Sequence, residues 1–513
     1  MIVDAATLAG VIERVAADLP GATALIDDDG LLTFAELDQR VRATVAVLAG
    51  LLPGGIPVAV IGPNHRAWVE LYYGVPAASR TLVFLNHRLN VNELISMIER
   101  SRAGIVIGES SEIDRLVEAG AELPMLSWET WADLIDGLES PPMATLGEPA
   151  TPAWLLFTSG TTAAPKGALL TNASILAAVQ ASAGARPVES DDVYVFPFPL
   201  CHVAGYNVIH RHAHGRPVVL MTGFGAAHFC DIVEREQVTS TSLAATMLAS
   251  LVELLDAEPD RLGQLRSLRS IAYGAAPMPT PLLRKADELL GVDFAQGYGM
   301  TELSGNAVFL NADAHRRGLA GEADLLEAAG QPAPGVELRL VDDAGDDVAD
   351  GDVGEIVVRA AQTMLGYLDD PAATAAAFRN GWLHTGDMGQ MIDGWLHVVD
   401  RKKDIIITGG ENVSSLEVEA AVLGHPGVAR VAVVGVPDPK WVENVCAVVV
   451  ATPGSEIEPS EIVATVRLKL AGFKVPRHVV FVDELPVTGS GKVIKADLRQ
   501  WLSENPELLG SRL

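Results

Sequence analysis

Short apolar runs alternate with amphipathic segments along the first 325 residues of this 513-residue chain. Residues 57–62 (PVAVIG) form an apolar run closed by glycine, which is typical of a buried strand. Thr33 and Glu36 have the spacing of a helical capping box, and Leu37 and Val41 follow on one helical face. Strands that alternate with helices predict a parallel, doubly wound sheet covered by helices.

The length of the chain predicts more than one domain, because a single hydrophobic core does not serve so many residues. We expect two doubly wound α/β subdomains at about 1–150 and 151–325. Residues 326–399 alternate short apolar runs with glycine and aspartate, which predicts a small β subdomain of antiparallel hairpins. The fold class is therefore α/β, with an N-terminal domain at 1–399 and a small α+β domain at 401–513.

The chain carries 37 basic and 66 acidic residues, a net charge of −29 at pH 7. This charge disfavours nucleic acid and anionic membranes as partners, although a local cluster can still bind an anionic nucleotide. Three widely spaced cysteines form no metal-binding pattern and fit reduced thiols. The N-terminus lacks a signal pattern, and no apolar run approaches the roughly 18 to 20 residues of a membrane span. We expect a cytoplasmic protein with no integral membrane segment and no nucleic-acid partner.

A loop rich in glycine and hydroxyl groups follows a strand-like run within residues 155–172 (LLFTSGTTAAPKGALLTN). Small residues let several backbone N–H groups point into one concavity, and the hydroxyls and a lysine add donors for phosphate oxygens. The loop lacks the Lys-Ser or Lys-Thr of the GxxxxGK[ST] nucleotide loop. Taken alone, the pattern fits an oligophosphate site or a flexible loop between strands. The candidate phosphate ligands are Thr158, Ser159, Gly160, Thr161, Thr162 and Lys166.

Residues 296–302 (QGYGMTE) form a second candidate segment. Two glycines flank Tyr298, which exposes an aromatic face on which a purine can stack. Thr301 can donate to a phosphate oxygen, and Glu302 can hold Mg²⁺, a hard ion that prefers oxygen ligands. The ordinary alternative is a turn with a solvated glutamate.

Several other residues have an ordinary interpretation beside a functional one. Asp387 could bind both hydroxyls of a ribose, as acidic residues do in other nucleotide sites, or occupy a hairpin turn. His202 lies in an apolar stretch, where a histidine is more often a packed residue. Residues 400–404 (DRKKD) are a charge run of the kind found on solvated faces. Lys492 follows a glycine-rich tip and, alone, is typical of a surface lysine.

Five signatures occur in one order across residues 158–492, and together they resemble the adenylate-forming superfamily. This superfamily includes acyl-CoA synthetases, luciferases and the adenylation domains of peptide synthetases. The matching segments are the phosphate loop at 158–167 (TSGTTGxPKG), the YGxTE segment at 298–302, the TGD segment at 385–387, the hinge at 400–404 and the PxTxxGK segment at 486–492. The chain also resembles the superfamily in a PxFHxxG-like segment around His202 and a GAAP segment at 274–277.

The resemblance implies a role for each matching residue. The nucleotide ligands would be Thr158, Ser159, Gly160, Thr161, Thr162, Lys166, Gly274, Ala275, Ala276, Gln296, Gly297, Tyr298, Gly299, Thr301, Asp387, Arg401 and Lys492. The catalytic residues would be Lys492, Thr161 and Glu302, with Glu302 also the metal ligand; His202, Gly274 and Met300 would contact the acyl substrate; and Gly409, Gly410 and Lys403 would contact CoA. Asp400 would be the hinge about which a mobile C-terminal domain rotates.

The chain departs from the superfamily pattern at a few positions. Ala163 and Val442 stand where glycine is usual. Ser414 and Ser415 replace the more usual proline, although Ser414 with Glu417 makes a good helix start. Lys495 replaces the arginine often seen three residues after the lysine of the PxTxxGK segment.

The implied reaction has two halves, in which a carboxylate attacks Mg·ATP to give an acyl-adenylate and CoA then displaces AMP. An amino-acid substrate is disfavoured because Gly225 stands where amino-acid-activating relatives usually place an aspartate. The apolar, small-residue segment 239–251 suits an apolar acyl group, so we expect a fatty or aryl-alkyl carboxylic acid. The alternatives are an acyl-AMP ligase that loads a carrier protein, and an inactive nucleotide-binding scaffold. A homodimer is a further expectation.

Overall fold

The computed structural model describes residues 4–138, 147–158, 165–274, 278–408, 411–438, 441–487 and 492–509. The chain divides into two compact units: one comprises Met1–Leu338 and Val358–Leu383, and the other comprises Arg339–Val357 and His384–Leu513. The boundaries fall inside strands Glu337–Val341, Val353–Arg359 and Trp382–Ile392. The subdomain limits near 150 and 325 and the hinge at Asp400 stay predictions.

The first unit contains a seven-stranded sheet in which the predicted parallel arrangement is confirmed. Its strands, in spatial order, are Gly366–Tyr367, Lys166–Thr171, Pro152–Thr158, Leu82–Leu85, Val58–Ile61, Ile105–Gly108 and Met125–Ser127. The last five run parallel, and Lys166–Thr171 turns back antiparallel along Pro152–Thr158. The candidate phosphate loop therefore connects two neighbouring strands of this sheet.

The first unit also contains a nine-stranded sheet. Its order is Gln331–Pro332, Gly305–Leu310, Asp293–Met300, Ser270–Gly274, Ser240–Ser242, Tyr194–Phe196, Val218–Leu220, Thr23–Asp27 and Gly30–Thr33. The strands from Asp293–Met300 to Thr23–Asp27 are parallel, and antiparallel strands close both ends. The two sheets interleave along the chain, because strands 23–33 belong to the second sheet and strands 152–171 to the first.

Helices connect these strands, as the alternating pattern predicts. In the first unit they are Leu8–Asp18, Phe34–Leu51, Arg66–Ala77, Val91–Ser101, Ser110–Glu118, Trp128–Asp136, Asn172–Ala185, Tyr206–His212, Ala226–Glu236, Ala245–Ala257, Thr280–Leu290, Ala312–Ala320 and Pro371–Ala377. The predicted capping box is present, since the Thr33 side chain accepts from Glu36 N–H and Glu36 accepts from Thr33 N–H. Among the described residues, no helix combines the length and the apolar character needed to cross a bilayer.

The second unit is built on a long antiparallel pair, Val428–Asp438 with Val442–Ala451. Its other elements are strands Trp395–Arg401, Ile406–Thr408, Glu411–Val413 and His478–Phe481, and helices Ser415–Val422, Pro459–Arg467 and Lys495–Glu504. The predicted α+β character and the predicted helix start at Ser414 are confirmed, because the Ser414 hydroxyl accepts from Glu417 N–H at 3.2 Å.

Alternate side chains of the long pair point to opposite faces of the sheet, as the period of two requires. Val431 and Val433 pack in one buried cluster with residues of helices Ser415–Val422 and Pro459–Arg467. Ala432 and Val434 pack in another with Leu498 and Leu502 of helix Lys495–Glu504. This sheet is therefore covered by helices on both faces, which fixes the helix that follows Lys492.

Candidate functional site

The candidate phosphate loop begins and ends at a cross-strand pair. Thr158 is opposite Lys166 at the ends of the two antiparallel strands. The Thr158 hydroxyl lies 3.3 Å from the Lys166 carbonyl oxygen and 3.4 Å from Glu302 Oε1. The Lys166 ammonium lies 5.2 Å from the centroid of the Tyr367 ring, over its face. Both flanks of the loop thus lie near Glu302 and Tyr367.

Glu302 is a buried carboxylate, with 6% of the residue exposed. It follows strand Asp293–Met300 in a short 3₁₀ helix, Thr301–Leu303. Its Oε1 accepts a 2.9 Å hydrogen bond from the Tyr367 hydroxyl, and burial next to this carboxylate raises the pKa of Tyr367. Tyr367 is therefore a neutral donor, and it holds one oxygen of Glu302 in place.

Glycines let the strands around the purine segment approach closely. A Cβ on Gly274 would lie 2.4 Å from the Gly297 carbonyl oxygen, and a Cβ on Gly299 would lie 2.0 Å from the Gly305 carbonyl oxygen. Real Cβ atoms do not approach backbone oxygens so closely, so both positions require glycine. Gln296, Tyr298 and Met300 lie on strand Asp293–Met300, and Thr301 follows this strand directly. All four residues are partly exposed.

His202 comes directly before the short 3₁₀ helix Val203–Gly205. Its Nε2 atom is buried and has no hydrogen-bond partner among the described residues. Burial, with the nearby Arg88 charge, lowers the pKa of His202 to about 4. The imidazole is therefore neutral near pH 7.

The leucines of the segment 239–251 lie in the hydrophobic core. Leu243, Leu248 and Leu251 are fully buried in the core around the second sheet. Ala244, Ala245, Met247 and Ala249 are partly exposed, and Thr246 and Ser250 are exposed. The leucines therefore stabilise the core, and the acyl contact of this segment stays a prediction.

The second unit brings Asp387 and Arg401 together. They are opposite each other on strands Trp382–Ile392 and Trp395–Arg401, and Arg401 Nε lies 2.8 Å from Asp387 Oδ1. Asp387 is 5% exposed, whereas the Arg401 side chain is 38% exposed. The arrangement leaves the guanidinium accessible while its partner carboxylate is held within the sheet.

Lys492 belongs to the same electrostatic cluster. Desolvation of its ammonium by surrounding protein, with the Arg401 charge, lowers the pKa of Lys492 to about 8, and the Asp387 carboxylate opposes this change. Lys403 lies in the cluster too, and its pKa is lowered by burial and by Arg401. Asp387, Arg401, Lys403 and Lys492 thus come together although they span more than a hundred residues of sequence.

Asp400 is 2% exposed and is bound on both carboxylate oxygens. Its Oδ1 accepts from Arg401 N–H at 2.6 Å, and its Oδ2 accepts from both the N–H and the hydroxyl of Ser415 at 2.6 Å. The predicted hinge residue is therefore hydrogen-bonded to the first residue of helix Ser415–Val422.

Some predicted site residues lie outside the described part of the chain. These are Ser159, Gly160, Thr161, Thr162, Ala275, Ala276, Gly409 and Gly410, together with the departure at Ala163. Their roles stay predictions. Sequence reasoning did not single out Tyr367, because a lone tyrosine after Gly366 carries no spacing signal; its position against Glu302 depends on a strand pairing far along the chain.

Comparison with known proteins identifies the family of this chain. The sequence pattern of the family described as AMP-binding enzyme matches residues 12–368, and that of the AMP-binding enzyme C-terminal domain matches residues 417–492. This chain belongs to the AMP-binding enzyme family. It is an adenylate-forming ligase of the acyl-CoA synthetase branch.

Three relatives illustrate the family. A feruloyl-CoA synthase of an Amycolatopsis species is 38% identical over 94% of this chain and 96% of its own length. A fatty acid–[acyl-carrier-protein] ligase, ScoC of Streptomyces coeruleorubidus, is 32% identical over 94% of this chain and 93% of its own. The structure of O-succinylbenzoate coenzyme A synthetase from Bacillus subtilis in complex with ATP and magnesium ion superposes with a TM-score of 0.84 at 30% identity, covering 96% of this chain and 99% of that one.

Glu302 has the chemistry that magnesium requires in an AMP-binding enzyme. One carboxylate together with nucleotide phosphates is a common Mg²⁺ ligand set. Oε1 accepts from the hydroxyls of Tyr367 and Thr158, and a carboxylate has about four acceptor positions, so it keeps further capacity for a cation. The donor set therefore fits the ion.

Proposed function

We propose that this protein is an ATP-dependent carboxylic acid–CoA ligase for aryl-alkyl or fatty acids. The main support is the Glu302 carboxylate, which is held by Tyr367 beside Thr158 and so presents an oxygen ligand next to the phosphate loop. The cluster of Asp387, Arg401 and Lys492 supplies the groups expected for ribose and phosphate.

In the first half-reaction, a substrate carboxylate oxygen forms a bond to the α-phosphorus of ATP while the bond to the β-phosphate oxygen breaks. Pyrophosphate leaves with the negative charge. Thr158 donates to a phosphate oxygen, and the Lys492 ammonium opposes the charge that builds on the phosphates. Glu302 would hold Mg²⁺, which neutralises phosphate charge. No general base is required, because the carboxylate is already the nucleophile.

In the second half-reaction, the sulfur of CoA forms a bond to the acyl carbon, the bond to the AMP oxygen breaks, AMP leaves with the electron pair of that bond, and the thiol proton passes to solvent. We assign Lys403 to CoA contact. Two chemistries at one acyl carbon require two arrangements of the site, and rotation at Asp400 would supply them.

The acyl group is proposed to be apolar. His202 is neutral near pH 7 because burial lowers its pKa to about 4, so the imidazole itself adds no charge at this position. Ala244, Ala245 and Met247 are partly exposed apolar residues, which supports an apolar contact. The feruloyl-CoA synthase relative makes an aryl-alkenyl acid the first substrate to test.

Pyrophosphate release from Mg·ATP tests this proposal. Ferulate, phenylpropanoate, indoleacetate and a series of saturated fatty acids are supplied one at a time, with and without CoA, and acyl-CoA is measured by mass spectrometry. We expect acid-dependent pyrophosphate release with an apolar acid, and acyl-CoA when CoA is present. Absence of release with every acid would contradict the proposal and favour a nucleotide-binding scaffold.

The carrier-protein ligase ScoC supports one alternative acceptor. If this chain loads a carrier protein, pyrophosphate release would occur but acyl-CoA would not form at any CoA concentration. Adding a phosphopantetheinylated carrier protein would then give an acylated carrier. The same assay therefore separates the two acceptors.

A further inference from the structure

Helix Lys495–Glu504 carries two cations that point to the predicted hinge segment. Lys495 and Arg499 are four residues apart, so they lie on the same helical face, and Lys492 lies three residues before the helix begins. Lys495 Nζ lies 2.7 Å from Glu419 Oε1 and hydrogen-bonds the Ser415 hydroxyl oxygen at 2.5 Å. Arg499 Nη2 lies 2.6 Å from Asp404 Oδ1.

The contact of Lys495 continues to Asp400 through one hydroxyl. Ser415 Oγ accepts from Lys495 and donates to Asp400 Oδ2, and the Ser415 N–H donates to the same carboxylate oxygen. Ser415 is fully buried. A proline at this position would offer neither the N–H nor the hydroxyl, so the link depends on the serine that this chain carries.

The two cations hold the helix at two points along the hinge segment. One point is Asp400 through Ser415, and the other is Asp404, whose own N–H donates to the Arg401 carbonyl at 2.8 Å. Both points are charge-assisted hydrogen bonds, which are shorter and stronger than hydrogen bonds between neutral groups. Two such points, separated by one helical turn, resist both sliding and rotation of the helix.

The segment before the helix is fixed at its other end. Val493 forms an antiparallel bridge with Val487, and Ile494 N–H donates to the Pro486 carbonyl at 2.9 Å. Lys492 precedes this bridge directly. Its position is therefore set by the backbone pairing of the next residue and by the helix that begins three residues later.

We propose that Lys495 and Arg499, acting through Ser415, Asp400 and Asp404, form a clamp that positions Lys492 against Arg401 and Asp387 for the first half-reaction. This hinge clamp rests on the proposed function, in which Lys492 acts on ATP. The residues of the clamp are positioning residues, because none of them is assigned to the reacting atoms.

Separate measurement of the two half-reactions tests the clamp. Ser415→Ala removes the hydroxyl link but keeps the pair between Lys495 and Glu419, and Arg499→Ala removes the second point. Each is expected to lower the pyrophosphate-release kcat about tenfold, because a small misplacement of a catalytic group is costly, with the KM for ATP nearly unchanged. Thioester formation from supplied acyl-adenylate should change less than twofold.

The conservative and control variants separate positioning from folding. Lys495→Arg keeps a cation and should restore most of the rate that Lys495→Ala loses. Gln500→Ala is the matched control, since the side chain is exposed on the same helix and bonds Glu504 at 3.0 Å. Equal losses in both half-reactions, in step with a lowered thermal midpoint, would overturn the proposal in favour of a purely structural contact.

A readout without catalysis distinguishes failure of the clamp from failure of the proposed function. The rate at which an N-hydroxysuccinimide ester acylates Lys492 is followed against pH by peptide mass spectrometry. We expect an apparent pKa near the value of about 8 in the wild type and a rise toward the ordinary lysine range in Ser415→Ala and Arg499→Ala. An unchanged apparent pKa in both variants would overturn the clamp, even if the protein adenylates no acid.

Discussion

The Tyr367 hydroxyl donates a 2.9 Å hydrogen bond to Glu302 Oε1, and this bond joins the two large sheets. Tyr367 belongs to the edge strand Gly366–Tyr367 of the first sheet, whereas Glu302 follows strand Asp293–Met300 of the second. The proposed metal ligand therefore takes its orientation from a residue in a different layer of the unit.

Tyr367→Phe is expected to lower the rate of pyrophosphate release about tenfold, since losing a hydrogen bond to a charged group removes about 1.5–3 kcal/mol of preorganisation. The magnesium concentration that gives the half-maximal rate should rise, because Glu302 loses its fixed orientation. Steady-state kinetics across a magnesium titration measures both effects. Tyr73→Phe is the control, since it removes another buried hydroxyl, bonded to His212 at 2.7 Å, away from this site. Matching losses in the two variants would contradict the role of Tyr367.

Adenylation should depend on the charge of Lys492 between pH 7 and 9. The pKa of Lys492 is lowered to about 8, so the ammonium is mostly present below pH 8 and is lost as the pH rises through that value. The kcat for pyrophosphate release is therefore expected to fall on the alkaline side. Lys492→Arg should keep its charge and move this fall to higher pH, and Lys492→Ala should impair adenylation far more than thioester formation. An unaltered alkaline limb in Lys492→Arg would exclude this lysine as its source.

Asp387→Asn is expected to raise the KM for ATP about tenfold with a smaller change in kcat, because the carboxylate both pairs with Arg401 and is the proposed ribose ligand. Isothermal titration with ATP provides the direct measurement. Asp347→Asn serves as the control, since it breaks an exposed pair with Arg339 at 2.6 Å in the same unit. Exposed ion pairs contribute about 0–1 kcal/mol, so the control should bind ATP normally. If Asp387→Asn and Asp347→Asn weakened ATP binding equally, the effect would come from the general charge of the unit and not from the role of Asp387.

Gly299→Ala is expected to destabilise the first unit by about 1–3 kcal/mol, the usual cost of overpacking, because the added Cβ would meet the Gly305 carbonyl oxygen at 2.0 Å. Urea unfolding measures the change. At Gly54 an added Cβ would meet no atom within 4 Å, so Gly54→Ala is the control and should leave the midpoint almost unchanged. If Gly299→Ala left the free energy of unfolding unchanged, strands Asp293–Met300 and Gly305–Leu310 would have to move apart without loss of stability.

Val442→Gly should stabilise the second unit by about 1 kcal/mol. Val442 has a φ of 72°, in the left-handed region that β-branched residues rarely adopt. The residue is 63% exposed, so burial of its side chain does not offset the backbone strain. Such strain costs about 1–3 kcal/mol, and glycine relieves it at the expense of some chain entropy. Thermal unfolding measures the result. Val450→Gly, in the same strand with an ordinary φ, should instead destabilise; a lowered midpoint in both would show that the backbone at 442 is unstrained.

Local signals in the sequence predicted the individual elements well. The strand-like run at 57–62 contains the strand Val58–Ile61, and the capping box of Thr33 with Glu36 and the helix start at Ser414 occur as predicted. These elements follow from hydrophobic periodicity and capping, which act over a few residues. The predicted site residues at Thr158 and Glu302, and at Asp387, Arg401 and Lys492, come together in the structure within their own units.

Long-range partner choice could not be predicted in the same way. Thr23–Asp27 pairs with Val218–Leu220, so the two sheets interleave, and no local pattern marks that pairing. Local patterns also do not predict which side chains are buried. The apolar composition of 239–251 could not show that Leu243 and Leu248 face the core. The link from Lys495 to Asp400 depends on the packing of a helix against a distant loop.

The bond between Tyr367 and Glu302 makes the refolding order of the first unit measurable. Neither sheet alone can present Glu302 with its hydroxyl partner, so recovery of ATP affinity after dilution from denaturant should lag behind recovery of helical circular dichroism. Nucleotide affinity would then report the moment at which both layers have assembled, and the interval between the two signals would time their docking.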